Sequence, residues 1–218
     1  ALDRVVYLLD RDLAEGRRVA AYAKARDIVR EHGDEEIIRL LASGERRAEL
    51  TALFGAAGYR ELSALARQAA ESRARGGPPV YVLPGLMGSR IGTPGRLLDD
   101  VIWLDPIEVV AGHLTRLALP RGARLSALGV MLLNALKLRL SLQIAGFDAR
   151  FHAFDWRRSV ERLADELLAR IAADGVRDPM LVGHSMGGLV ARIALADGKG
   201  RIARAVQLGA PNAGSFAP

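Results

Sequence analysis

One turn constrains the fold of this 218-residue chain more than any other feature: a serine flanked by glycines in the sequence GHSMG, at residues 183–187. The apolar residues 180–182 before it predict a buried strand, and residues 186–197 predict a helix. A serine between a strand and a helix must adopt a strained backbone conformation to hold its Oγ clear of the sheet. The pattern therefore indicates Ser185 as a nucleophile. The alternative is a glycine-rich turn with a bystander serine.

The neighbouring residues fit such a turn. Gly183 and Gly187 lack the Cβ atoms that would collide across it, and Gly188 lets the helix pass close to the sheet. His184 is expected to point away from the serine Oγ and to have a local hydrogen-bonding role. The helix begins at Met186, so the N–H of this residue and the positive end of the helix dipole are expected where an oxyanion would form.

A second backbone donor is expected from the loop after an earlier strand. The sequence PGLMGS at residues 84–89 follows the apolar run 80–84 and provides such a loop. Leu86 is the predicted donor, and its apolar side chain is no obstacle because the donor is a backbone N–H. Gly85 supports the turn before it. The alternative is that this segment is a plain tight turn.

Short apolar runs alternate with helical patterns from residue 80 onward. Strands are predicted at 80–84, 149–156, 180–182 and 203–208, and helices at 125–145, 159–173 and 186–197. Ser159 is the predicted N-cap of the helix at 159–173. The order β-α-β-α-β-α-β predicts a parallel sheet that is covered by helices on both faces.

Residues 1–77 form a separate helical segment in this interpretation, because nothing before the Gly-Gly-Pro-Pro break at 76–79 reads as a strand. Apolar residues recur at helical spacing in residues 5–13. Further helices are predicted after an Asp34 N-cap, at 45–54 and at 59–74. Two interpretations stay open: a helical flank that packs on the main domain or tethers it, and a module that docks a partner or regulates.

Four segments together resemble the lecithin:cholesterol acyltransferase-like family of lipases: VYVLPGLMGSRIG from Val80, FDWR at 154–157, GHSMGG at 183–188 and LGAPNAGS at 208–215. The resemblance starts at about Val80, and it departs from the family where Phe154 replaces a tyrosine. It implies an α/β-hydrolase fold for residues 78–218, with the N-terminal half of the parallel sheet present. It also implies hydrolysis or transfer of acyl groups on lipid-like esters.

Without the resemblance, the residues imply only that a serine forms an acyl-enzyme. A lipase, an esterase and an acyltransferase all share that intermediate. The alternative function is a non-catalytic α/β-hydrolase-like scaffold or binding module that lacks a complete triad.

A serine nucleophile needs a base that is held by an acid, and in this fold both follow the serine in sequence. After Ser185 there is one acid, Asp197, and no histidine. Asp197 reads as a solvated acid at a helix end. The acid and the base are therefore expected beyond Pro218.

The remaining acids and histidines come too early in the chain for that order. Asp155 is interpreted as a network residue paired with Arg157 or Arg158. The early histidines are assigned to the N-terminal segment, the lid region and a strand, respectively: His32, His113 and His152.

Residues 95–146 are expected to include a lid with an apolar, basic surface that contacts lipid, and 95–120 are its better candidates. The basic residues that motivate this, between Gly112 and Arg150, are Arg116, Arg121, Arg124, Lys137, Arg139 and Arg150. The alternative for the helix at 125–145 is that its apolar face packs on the sheet. A narrow polar stripe on this helix comprises Ser126, Asn134, Lys137 and Ser141.

Composition restricts the other functions. The chain has no cysteine, which excludes disulfides and thiolate catalysis, and no residue spacing suggests a metal or a cofactor. A thinly spread net charge of +6 argues weakly for nucleic acid, which is not expected as a partner. The start of the sequence lacks a signal-peptide pattern, and no apolar run reaches the roughly 18 residues of a membrane span. A cytoplasmic or peripheral membrane location is expected.

Overall fold

The computed structural model describes residues 27–73, 77–96, 98–103, 112–119, 124–197 and 201–215. In chain order the elements are α1 (Asp34–Ser43), α2 (Arg47–Arg73), β1 (Pro79–Leu83), β2 (Ser89–Thr93), β3 (Asp100–Trp103), a 3-10 helix (His113–Leu117), β4 (Ser126–Val130), α3 (Leu132–Ile144), β5 (Asp148–Phe151), α4 (Val160–Ala173), β6 (Met180–His184), α5 (Met186–Asp197) and β7 (Arg204–Leu208). The helix expected at 5–13 and the lid residues 104–111 and 120–123 lie outside the described residues.

The main sheet has four parallel strands in the order β5-β1-β6-β7. β1 is central, with Tyr81 opposite Arg150 of β5 on one side and opposite Leu181 of β6 on the other. β7 pairs with β6 along its whole length, from Arg204 to Leu208. The protein is thus a mixed α/β structure, and the predicted parallel sheet flanked by helices is confirmed.

Alternate residues of β1 face opposite sides of this sheet, as the two-residue period of a strand requires. Tyr81 and Leu83 are buried against α4 and α5. Val80 and Val82 are buried on the other face, against Leu138 and its neighbours in α3. Helices therefore cover both faces.

The N-terminal helices cover the side of α3 that faces away from the sheet. The shared core consists of Leu132, Leu136 and Leu140 of α3 with Ile37, Leu40 and Leu41 of α1 and Leu50, Leu62 and Ala66 of α2. α2 is interrupted at Gly55, whose φ of 75° is not helical, and this matches the two helices predicted at 45–54 and 59–74. Because α3 is enclosed on two sides, its sequence is apolar around most of its circumference.

Asp34 is not the N-cap of α1, and that prediction was wrong. Gly33 occupies the cap position, and Asp34 is the first helical residue. Its carboxylate instead accepts from Arg90 Nη2 at 2.9 Å and from the Val130 N–H at 2.8 Å. The Asp34 and Arg90 side chains are 12% and 5% exposed, so this is a buried ion pair between α1 and β2. A second pair joins Glu35 to the fully buried Arg139 of α3 at 2.6 Å.

A second sheet, of three antiparallel strands in the order β3-β2-β4, was not predicted. The helix predicted at 125–145 is wrong over its first residues, because Ser126–Val130 forms β4 and the helix begins at Leu132. Gly129 has a φ of 153°, which a helix does not allow. Ser126–Val130 instead satisfies its backbone groups by pairing with β2.

β5 ends at Phe151 rather than at the predicted residue 156. Its neighbour β1 ends at Leu83, and the following Pro84 has no amide N–H with which to extend the ladder. α4 agrees closely with its prediction. Ser159 is its N-cap, and the side-chain oxygen accepts from the Arg162 N–H.

Candidate active site

Ser185 lies at the turn between β6 and α5 with a φ of 52°, a left-handed conformation that serine rarely adopts. Two backbone hydrogen bonds hold it there. The Ser185 N–H donates to the Leu208 carbonyl of β7 at 2.9 Å, and the Ser185 carbonyl accepts from the Gly188 N–H at 2.9 Å. The expected strain at this residue is therefore present, and it is held by a neighbouring strand and by the first turn of a helix.

The glycines of the turn each occupy a place that a side chain would fill. A Cβ at Gly183 would overlap the backbone of Gly187, and a Cβ at Gly187 would lie 2.7 Å from the Leu83 carbonyl oxygen. A Cβ at Gly188 would lie 2.6 Å from the Cβ of Ala210, in the segment after β7. The collision across the turn that was predicted holds for Gly183, whereas Gly187 is required by the end of β1 rather than by the turn itself. Gly188 allows α5 to approach the end of β7 closely, as predicted.

The turn lies where parallel α/β sheets place their ligands. From β1 the chain passes through α3, on one face, to β5; from β6 it passes through α5, on the opposite face, to β7. The carboxyl ends of the adjacent strands β1 and β6 therefore flank a topological switch point. In open α/β sheets the crevice at such a point is the usual binding site.

The loop at residues 84–88 forms the other side of this crevice. A Cβ at Gly85 would lie 3.0 Å from the Cβ of Ser185, so the loop and the serine touch. The loop closes as a tight turn, in which the Gly88 N–H donates to the Gly85 carbonyl at 2.9 Å. The side chains of Leu86 and Met87 at its tip are 56% and 42% exposed.

The two predicted backbone donors are Met186, which follows the serine in sequence, and Leu86, which lies in the loop at residues 84–88. Met186 is the first residue of α5, and the first N–H groups of a helix have no partner within it. Leu86 lies in the loop that contacts Ser185, and its N–H donates to no backbone carbonyl among the described residues. Neither amide therefore has a backbone acceptor among the described residues.

Side chains in β7 and in the segment after it support the elbow. Gln207 Nε2 donates to the Gly188 carbonyl at 2.7 Å. Asn212 Nδ2 donates to Gln207 Oε1 at 3.0 Å, and Arg192 of α5 donates to Asn212 Oδ1 at 3.2 Å. Gln207 therefore braces the first turn of α5, and Asn212 of the LGAPNAGS segment holds Gln207 in place.

Asp155 is a network residue, as predicted. Arg157 donates to both of its carboxylate oxygens at 2.7 Å, and Arg158 adds a contact at 3.2 Å. Burial raises the pKa of Asp155, but the hydrogen bonds and the charge of Arg157 outweigh burial, so its pKa lies below the ordinary value. Arg157 also donates to the Leu117 carbonyl at 3.0 Å and thereby fixes the end of the 3-10 helix. This carboxylate is engaged away from the serine.

None of the predicted histidines hydrogen-bonds Ser185 in the part of the chain that the structure describes. His184 is exposed, and the hydrogen-bonding role expected for it has no partner among the described residues. His152 follows β5, its Nε2 is buried without a hydrogen-bond partner, and burial lowers its pKa to about 4. His32 lies just before α1, and the 3-10 helix begins at His113. Asp197 is exposed at the end of α5, as predicted.

Sequence reasoning missed two tryptophans, one that holds the loop and one that holds the strand directly after it. Trp103 of β3 donates its Nε1–H to the Met87 carbonyl at 2.9 Å, and Trp156 donates its own to the Ser89 carbonyl at 3.1 Å. Trp156 stands in FDWR, one of the segments on which the predicted resemblance rests. Sequence spacing gave no signal for either tryptophan, because it cannot link an indole to a distant backbone carbonyl.

No group of histidines and acids within the described residues could hold a metal ion. Within the same residues, no helix combines the length and the apolar character that a membrane crossing requires. No family model, curated protein or solved structure matches the chain.

Proposed function

We propose that the protein is a serine hydrolase of the α/β-hydrolase fold that acts on carboxylic esters through an acyl-enzyme. The observation that carries this proposal is Ser185, held at a φ of 52° at the switch point of a parallel sheet. A non-glycine residue in this conformation costs about 1–3 kcal/mol, and such strain concentrates at active sites. A second observation supports it: the loop at 84–88 contacts the serine, and within the described residues the Leu86 amide has no backbone acceptor.

In the proposed reaction Ser185 Oγ forms a bond to the ester carbonyl carbon while its proton passes to a histidine base. The carbonyl π electrons move onto the oxygen, which the N–H groups of Leu86 and Met186 stabilise. Collapse of this intermediate expels the alcohol, which takes the proton from the base. Water then cleaves the acyl-enzyme, releasing the acid and restoring Ser185. One oxyanion donor contributes about 100- to 1,000-fold in rate.

The base and its acid lie outside the described residues in this proposal, because no histidine and no acid among the described residues hydrogen-bonds Ser185. The lack of a base and an acid at Ser185 among the described residues also favours the second candidate function, a binding scaffold without catalysis. The strained serine argues against it, since binding alone gives no reason to keep that conformation.

The proposed substrates are lipid-like esters, in agreement with the family resemblance. Leu86 and Met87 support this assignment, because they place two exposed apolar side chains beside the serine. An acyl chain would remove such surface from water. The basic surface expected on residues 95–146 receives less support. Arg139 is buried, and Arg116 and Lys137 are paired with Asp100 and Glu61.

Hydrolysis of p-nitrophenyl esters of increasing acyl length tests the proposal. The full-length protein should hydrolyse them, and Ser185→Ala should abolish turnover. Ser141→Ala is the matched control, because Ser141 is exposed on α3, far from the crevice in sequence and on the opposite face of the sheet from α5. Turnover that survives in Ser185→Ala would contradict the proposal, and a folded protein without turnover would favour the scaffold.

A further inference from the structure

The loop at residues 84–88 is held at its exit by an indole. Trp103 lies at the end of β3, is 8% exposed, and donates its Nε1–H to the Met87 carbonyl at 2.9 Å. Met87 itself has a φ of 60°, a conformation that a non-glycine residue adopts at a cost. The hydrogen bond from the Trp103 indole is therefore accepted by Met87, the strained residue of the loop.

A second indole supports the first. The rings of Trp103 and Trp156 meet edge to face, with centroids 5.5 Å apart and planes at 72°. Such pairs stabilise each other by about 0.5–1.5 kcal/mol beyond burial. Trp156 donates to the Ser89 carbonyl at 3.1 Å, inside β2 rather than in the loop. Trp103 is thus fixed by its strand on one side and by Trp156 on another.

The backbone carbonyls on the exit side of the loop are all satisfied. The Gly88 carbonyl accepts from the Met131 N–H at 2.8 Å, and the buried Ser89 hydroxyl accepts from the Phe154 N–H at 3.2 Å. The Leu86 amide, one residue before the indole-bonded Met87, donates to no backbone carbonyl in the part of the chain that the structure describes. The arrangement anchors Met87 to Ser89 and leaves the preceding amide available.

We propose that Trp103 is a positioning residue: its indole N–H fixes the Met87 peptide and so sets the direction of the Leu86 N–H toward the oxyanion. This inference rests on the proposed function of Ser185. Trp103 then affects the rate at which Ser185 attacks the ester and not the binding of the ester. The reason is that the Leu86 N–H, which the indole positions, interacts fully only with the oxyanion that forms during attack.

The test is Trp103→Phe, which keeps an aromatic ring and removes the donor. Its rate of phosphonylation by a fluorophosphonate and its kcat on a p-nitrophenyl ester should fall about 10- to 100-fold, since small displacements of a preset donor cost that much. KM should stay within about twofold, because the donor contributes chiefly to the transition state.

Tyr81→Phe is the matched control. It also removes one buried donor while keeping the ring, because the Tyr81 hydroxyl donates to Asp174 at 2.6 Å. Asp174 follows the last turn of α4, which leads to the opposite end of the sheet. Tyr81→Phe should therefore lose stability and keep the wild-type phosphonylation rate. Equal losses of rate in both variants would show a general structural effect and overturn the proposal.

The outcomes separate the two proposals. Phosphonylation of Trp103→Phe at the wild-type rate would overturn the role of Trp103 and leave that of Ser185 intact. A wild-type protein that is not phosphonylated at Ser185 would overturn both.

If Trp103→Phe does not fold, the wild-type protein decides by NMR. Residues 1–218 contain two tryptophans and contribute two indole N–H signals. Trp156→Phe removes one of these signals, and the other is that of Trp103. The Trp103 signal should be protected from exchange and should shift when Ser185 is phosphonylated. Rapid exchange, or a signal that the adduct does not move, would overturn the proposal.

Discussion

The Cα–Cβ direction of Gly85 points at Ser185, so that a methyl group there would lie 3.0 Å from the Ser185 Cβ and 3.1 Å from His184 Nδ1. Real Cβ atoms rarely come this close to other atoms. Ser185 cannot easily move away, because its backbone is held in a strained conformation. The distance between the loop and the elbow is therefore set by the missing side chain. Gly85 is required by the site itself rather than by a positive φ.

We predict that Gly85→Ala lowers the ester hydrolysis rate by at least about tenfold, because a displacement of the loop by a few tenths of an ångström misplaces the Leu86 donor. The loss should appear mainly in kcat. Gly58→Ala is the control, since Gly58 lies in α2 with its nearest neighbour at 3.4 Å. That change should leave the rate unaltered and stabilise the helix by about 0.5–1 kcal/mol. A Gly85→Ala variant as active as wild type would contradict the prediction.

A second prediction concerns the ion pair between α1 and β2. Asp34→Asn leaves the charge of the buried Arg90 without its partner, and breaking such a pair costs about 3–5 kcal/mol. The free energy of unfolding, measured with urea, should fall by about 3 kcal/mol. Amides of α1 should also exchange faster, because this carboxylate joins α1 to the Val130 N–H.

The control for Asp34→Asn is Glu166→Gln, which makes the same chemical change in the exposed pair between Arg162 and Glu166. Exposed helix pairs contribute little, so this variant should unfold at the wild-type urea concentration. Equal effects of the two substitutions would show that the Asp34 pair is not the link we describe.

The third prediction is a pH dependence that arises from His152. Burial lowers its pKa from 6.5 to about 4, and the charge of Arg170 adds to this, while Asp174 opposes it. The unfolded chain therefore binds a proton below pH 6.5 that the folded protein takes up only near pH 4. The stability contribution of this group is complete above pH 6.5 and is lost as the pH falls toward 4, at up to about 1.4 kcal/mol per pH unit.

His152→Gln removes the imidazole that takes up a proton on unfolding. Its free energy of unfolding should therefore decline less steeply than that of wild type between pH 6.5 and 4, and the difference between the two proteins should be flat above pH 7. Parallel curves across the whole range would contradict the assignment of His152 as a buried neutral histidine.

Sequence patterns predicted those parts of the fold that depend on residues close together in the chain. The α4 pattern, with Ser159 before apolar residues at helical spacing, locates the helix to within one residue of its bounds. The elbow at Ser185 is equally readable, because the glycines that permit it lie within three residues of the serine. The four parallel strands follow from their apolar composition and from the helices between them.

Features that depend on distant partners could not be predicted. Asp34 resembles an N-cap in its local sequence, yet its carboxylate bonds Arg90 and Val130, far along the chain. β4 is apolar and adjoins a helix, so only its pairing with β2 distinguishes it from the helix start. Trp103 is an ordinary apolar residue until the fold brings its indole to Met87.

The central claim is that Ser185 is the nucleophile, and covalent labelling tests it most directly. The full-length protein is treated with a fluorophosphonate, digested with trypsin and analysed by mass spectrometry. Trypsin should release residues 178–192, a peptide in which Ser185 is the sole hydroxyl-bearing residue. We predict that this peptide carries the phosphonate in wild type and in Ser141→Ala, and that no label remains in Ser185→Ala. A label on any other peptide, or one that persists in Ser185→Ala, would contradict the account.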